Sequence, residues 1–117
     1  MANGLITGQT KPLKSITGGA LNVSLSVDLS QYSEFCFVLY PLGYGSPIYI
    51  CSAVFPKVVV ANGVTLAVGV GGVLNTPEGK GILATIAIGN NTVTMTNCLY
   101  DGSPSSSAII EVHGREY

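Results

Sequence analysis

From Leu21 to Leu29 the chain alternates without a break: Leu21, Val23, Leu25, Val27 and Leu29 are apolar, and Asn22, Ser24, Ser26 and Asp28 between them are polar. Side chains on a strand point to opposite faces in turn, so this spacing gives one apolar face and one polar face. It predicts a half-buried strand over 21–29. After a polar break at 30–34, the run 35–40 (Phe-Cys-Phe-Val-Leu-Tyr) is apolar at every position. A run of that kind suits a central strand covered on both sides, or one whose outer face meets a partner chain. With no wet face of its own, the run marks Cys36 and Val38 as the expected subunit interface.

Turn signals divide the rest of the chain. Pro41, Gly43, Gly45 and Pro47 make a loop before the apolar run 48–51, and Pro56 stops the run that ends Val54-Phe55. Asn62-Gly63 lies between two β-branched runs, 57–60 and 64–70, which predicts a hairpin. The segment 71–81 holds Pro77 and four glycines, the composition of a surface loop. Ile82, Ala84, Ile86 and Ile88 then resume period 2, and Gly89-Asn90-Asn91 turns the chain into 92–96, a second predicted hairpin. A polar loop over 101–107 precedes a closing strand at 108–113. Residues 1–20, rich in Gly, Thr and Lys with Pro12 and the pair Gly18-Gly19, read as a partly extended N-terminal arm ending in a turn at that pair. No stretch carries a 3.6-residue apolar period through three turns. The expectation is an all-β chain: an arm over 1–20, then one antiparallel β-sandwich domain over 21–117, jelly-roll-like, with seven to eight strands.

Composition narrows what such a sandwich does. Of the 117 residues, 47% are hydrophobic and only 9% charged, against about 25% charged in an ordinary soluble domain. Apolar and neutral polar groups must therefore cover much of the surface. A self-associated state explains this, because interface centres are poor in charge; a monomer with a Ser/Thr/Asn surface is the alternative. Lys11, Lys14, Lys57, Lys80 and Arg115 are scattered and the net charge is −1, so nucleic-acid binding by clustered cations is not expected. No apolar run approaches the ~18 residues of a membrane-spanning helix. The N-terminus has neither a basic region nor a continuous apolar core, so no signal peptide is expected. Cys36, Cys51 and Cys98, none in a C-x-x-C pair, are read as reduced thiols packed as small apolar groups. A Cys36 to Cys51 bridge is open should their strands be neighbours.

Motifs that carry chemistry fail one by one. Gly69-Val-Gly71-Gly72 would need Gly at Leu74 to complete a dinucleotide fingerprint, and the following helix is not predicted. Gly79-Lys80 has Leu74 at the first glycine position of a phosphate loop and Gly81 where Ser or Thr belongs. His113 is the one histidine available to a serine nucleophile, with Asp28 or Asp101 to orient it, and the serines lie in turn-like surroundings. One His and three dispersed Cys make a poor metal set. Glu34, Glu78, Glu111 and Glu116 form no specific carboxylate pair. No catalytic, cofactor-binding or metal-ligating residue is therefore expected, and the chain is read as non-enzymatic. Tyr40, Tyr44, Tyr49 and Tyr100 sit on or beside two loops. Tyrosine there serves core and rim packing or a flat platform for a ligand such as a sugar.

Several segments together resemble small β-sandwich modules of tailed-phage and prophage virion proteins: Tyr32-Ser33-Glu34 opening a strand, Val54-Phe55-Pro56, the hairpin from Ile86 to Met95, and the ending Ile110-Glu-Val-His-Gly114-Arg115. The similarity covers roughly residues 20 to 115. His113 stands where an aromatic is commoner, and the chain is one module long where such modules usually cap longer fibre or baseplate proteins. The resemblance implies a virion structural role in tail fibre, tail accessory or capsid decoration, often as a trimer. It also implies contact with other virion proteins, loops able to meet a host surface glycan, and synthesis in the host cytoplasm. It carries no catalytic residues.

Overall fold

The computed structural model describes residues 11–40, 54–70, 81–100, 103–104 and 108–117. Nine strands lie among them: β1 (Leu13–Ala20), β2 (Leu25–Ser26), β3 (Tyr32–Tyr40), β4 (Val54–Pro56), β5 (Thr65–Val70), β6 (Ile82–Gly89), β7 (Thr92–Tyr100), β8 (Ser103–Pro104) and β9 (Ile109–Glu116). They form two sheets. Sheet A has the order β1-β9-β3-β4, and sheet B the order β2-β7-β6-β5, with β8 paired to the far end of β7. Every pairing is antiparallel. The chain is an all-β antiparallel sandwich. β1 and β2 lie beside β9 and β7 in opposite sheets, while β5, β6 and β7 run as a meander.

The alternating run 21–29 supplies less ladder than its period promised. Leu25, Val27 and Leu29 are buried in turn, as the alternation requires, yet only Leu25–Ser26 pairs with a neighbour. Asn22 turns the chain with a φ of 62°, and Val23 is left 45% exposed. Downstream, the Asp28 carboxylate accepts the Ser30 N–H at 3.2 Å and caps a 3-10 turn over Leu29–Gln31. Alternation dictates which faces side chains take; it does not supply a partner strand. The turn anticipated at Gly18-Gly19 comes at Leu21 and Asn22 instead, and Leu13–Ala20, within the segment read as an arm, is the outermost described strand of sheet A.

Asn62-Gly63 makes a turn but not a hairpin. Val64 N–H reaches Ala61 C=O at 3.0 Å and Gly63 adopts a φ of 89°, a left-handed position that glycine takes at no steric cost. The flanking segments belong to different layers. Pro56, which has no N–H to continue a ladder, ends β4 in sheet A. The run 57–60 then passes through a 3-10 turn (Lys57–Val59) to the buried Val60, and β5 begins in sheet B. The expected hairpin is thus the crossover between the sheets. The second hairpin is as anticipated: Gly89 pairs with Thr92, Asn90 and Asn91 make the loop, and Asn91 takes a φ of 56°.

The core is one cluster shared by both sheets. Phe35, Phe37 and Leu39 from β3 and Ile110 and Val112 from β9 meet Ile82, Ala84, Ile86 and Ile88 from β6 and Val93 and Met95 from β7. Among the described residues every buried side chain is hydrophobic, and no buried side-chain polar atom lacks a partner.

Candidate functional site

Central strands β3 and β9 give sheet A its outer face. Because Phe35, Phe37 and Leu39 point inward, Glu34, Cys36 and Val38 point outward, in register with Arg115, His113 and Glu111. Arg115 Nε donates to Glu34 Oε1 at 2.5 Å, and its Nη1 donates to the Lys11 carbonyl. His113 Nε2 lies 3.0 Å from Glu111 Oε1, two residues away on the same face. At the sheet edge Lys14 Nζ pairs with Glu116 Oε1 at 2.9 Å, an exposed pair that raises the lysine pKa and lowers that of the carboxylate. Lys11 Nζ donates to the Tyr117 carbonyl at 2.6 Å, and Lys57 Nζ stands 5.4 Å from the Tyr117 ring centre. These contacts tie β1, β9 and the segment after β4 together at one corner.

The chemical possibilities raised by the sequence look different in this geometry. His113 lies opposite Ser15 on β1, the arrangement nearest to a serine–histidine pair. A nucleophile needs its base within hydrogen-bond reach, and the imidazole's side-chain partner among the described residues is Glu111. No three of the described His, Cys, Asp and Glu residues gather as a metal site. No described helix is long and apolar enough to cross a membrane.

Cysteine chemistry departs from the reading of three reduced thiols. Cys36 is disulfide-bonded and 4% exposed, so its burial is complete within one chain; Val38 beside it is half-buried. The Cys36 to Cys51 pairing lies outside the described residues. Cys98 is a free thiol inside the core, and burial pushes its pKa above the usual thiol range. The tyrosines split between the sheets. Tyr40 ends β3 opposite Ile109 in sheet A, and Tyr100 ends β7 opposite Ile82 and Ser103 in sheet B. Tyr44 and Tyr49 lie outside the described residues.

Two features escaped the sequence reading. Gly114 is buried under Tyr32: a Cβ there would stand 2.6 Å from Tyr32 Cδ1 and 2.7 Å from Ile16 Cδ1. Its legible trace is a glycine within a strand whose neighbours are long. The second is a partition of charge. The strands of sheet B contain no charged residue, whereas β1, β3 and β9 carry Lys14, Glu34, Glu111, Arg115 and Glu116. The polar positions of the two alternating runs 64–70 and 82–96 already held that information, had they been read as a surface. No protein-family model, curated protein or solved structure matches the chain.

Proposed function

We propose that the chain is a non-enzymatic structural protein of a phage or prophage virion, a tail or capsid accessory that assembles on itself and on the particle. The observation that carries the self-assembly is the uncharged outer surface of sheet B. Thr65, Ala67 and Gly69 on β5 lie beside Ala87, Thr85 and Leu83 on β6, and Leu83 is 46% exposed. Packing such a surface against protein desolvates no charge, and interface centres are depleted of charge for that reason. The virion context rests on the resemblance of the strand boundaries at Tyr32-Ser33-Glu34, Val54-Phe55-Pro56 and the β9 ending, which also favours a trimer.

Light scattering on a size-exclusion column, with co-sedimentation on particles of the cognate phage, tests the reading. The expected result is a multiple of the 12.0 kDa chain that co-sediments with particles. A strictly monomeric species at high protein concentration that leaves particles undecorated overturns it.

A further inference from the structure

Among the described residues sheet B ends in a strand, β5, whose outer edge is built to be continued. Ile88 N–H donates to Val64 C=O at 2.9 Å, and the register then pairs Thr65 with Ala87, Leu66 with Ile86 and Ala67 with Thr85. Hydrogen-bonded and non-hydrogen-bonded pairs alternate along an antiparallel ladder. Leu66 and Val68 therefore exchange bonds with β6, while the N–H and C=O groups of Thr65, Ala67 and Gly69 point away from it. Among the described residues β6 is the sole partner of β5.

The other described edges each carry a device that discourages strand addition. β4 is three residues long and ends in Pro56; β1 bears Lys14, follows Pro12 and has a register shift opposite Val112 and His113; β2 has two residues; β8 contains Pro104. β5 has none of these. It is six residues long, its pairing with β6 is continuous, and it holds no charge and no proline.

We propose that β5 pairs with β5 of a second copy of this chain, antiparallel about a two-fold axis through Ala67, joining the two B sheets into one. The sequence Thr65-Leu66-Ala67-Val68-Gly69 is self-complementary in that register: Thr65 meets Gly69, Ala67 meets Ala67, and the three outward-pointing residues of each copy supply about six hydrogen bonds. Leu66 faces Val68 of the other copy on the core side, and small Ala67 and Gly69 leave the outer face flat. No like charges are brought together, and the uncharged outer face of sheet B continues across the junction. This inference deepens the self-assembly half of the proposed function and is independent of the virion half.

The test compares the full chain with Ala67→Lys and Ala67→Cys. Wild type is expected at an even number of chains, six where the trimer favoured above is itself paired through β5, and Ala67→Lys, which places two ammonium groups on the axis while leaving the exposed side chain outside the core, is expected to halve that number with its far-ultraviolet spectrum unchanged. Paired residues of a hydrogen-bonded antiparallel ladder have Cα atoms about 5.5 Å apart, within disulfide range. Ala67→Cys with added copper phenanthroline is accordingly expected to run as a covalent dimer on a non-reducing gel where wild type does not. A monomeric wild type, an assembly that Ala67→Lys leaves intact, or failure of Ala67→Cys to cross-link overturns the β5 pairing. A stable trimer indifferent to Ala67→Lys overturns it while leaving self-assembly standing, and loss of particle binding alone bears only on the virion reading.

Discussion

At Gly114 the sheet shows how one missing side chain is used. Tyr32 and Ile16 close over the backbone of β9, and the Tyr32 ring also meets Phe35 edge-on, with centroids 5.7 Å apart at 62°. An aromatic laid over a strand glycine restores the burial that the glycine cannot provide. Gly114→Ala must displace both neighbours, and overpacking of that kind costs about 1–3 kcal/mol; urea unfolding is expected to show a loss in that range. In a Tyr32→Ala background much of the strain has no cause, so the same substitution is expected to cost less, and a double-mutant cycle measures the difference. Equal costs in both backgrounds would mean that Tyr32 does not define the space above Gly114. Asn91 is a second residue with two tasks. It holds a φ of 56°, and its Oδ1 accepts the Leu29 N–H at 3.2 Å. The Asn90-Asn91 pair announced a turn in the sequence, but the bond to Leu29 joins positions 62 residues apart, a separation that no local pattern encodes.

Among the elements, those with a local cause were legible and those with a distant cause were not. Period 2 placed β6, and Gly89-Asn90-Asn91 placed its turn into β7, because both depend on neighbouring residues. The same period over-extended β2, since a ladder needs a partner, and β7 offers Leu25–Ser26 only Val93 and Thr92. The run starts in the turn at Leu21 and Asn22 and ends in the capped turn at Asp28. Its carboxylate accepts the Ser30 N–H, the Ser30 hydroxyl at 2.7 Å and the Gln31 amide at 3.2 Å, and these bonds, Ser30's first, hold the carboxyl pKa below its ordinary 3.8. A group whose folded-state pKa is depressed contributes stability that is whole above the unfolded-state pKa and is lost as pH falls through the folded one. Asp28→Ala is therefore expected to melt lower than wild type by a gap that is full at neutral pH and narrows once the pH falls below the carboxyl's ordinary 3.8, as the folded-state carboxylate takes up its proton. Thermal melts across that range check it; a gap that widens in acid would contradict the cap. For the candidate site, the unbroken apolar run 35–40 left both faces of β3 to be covered, and Cys36 and Val38 lie on the side opposite Phe35 and Phe37. It did not tell that Cys36 is disulfide-bonded and buried within its own chain.

At the scale of the whole molecule, the two sheets divide the surface but share the interior. Among the described residues the strands of sheet B carry no charged residue and those of sheet A carry five, while Phe37 of β3, Ile86 of β6 and Met95 of β7 belong to one apolar cluster. That cluster has no polar seam along which the layers would part, because no described polar side chain is buried. Neither sheet can leave the other without exposing the whole of its inner face, so unfolding is expected as a single cooperative step. Phe37, 1% exposed, probes this from sheet A. Phe37→Ala removes a ring from a site that cannot fully collapse and is expected to cost about 3–5 kcal/mol. The informative readout is where the loss is felt. Amide hydrogen exchange should report the same drop in global opening energy for the slowest protons of β6 and β7 in sheet B as for those of β3 and β9 in sheet A. A loss confined to sheet A would mean that the sheets open separately and that the shared cluster is not the unit of stability; it would also place the β5 edge on a layer able to survive alone, which a dimer joined through sheet B does not require.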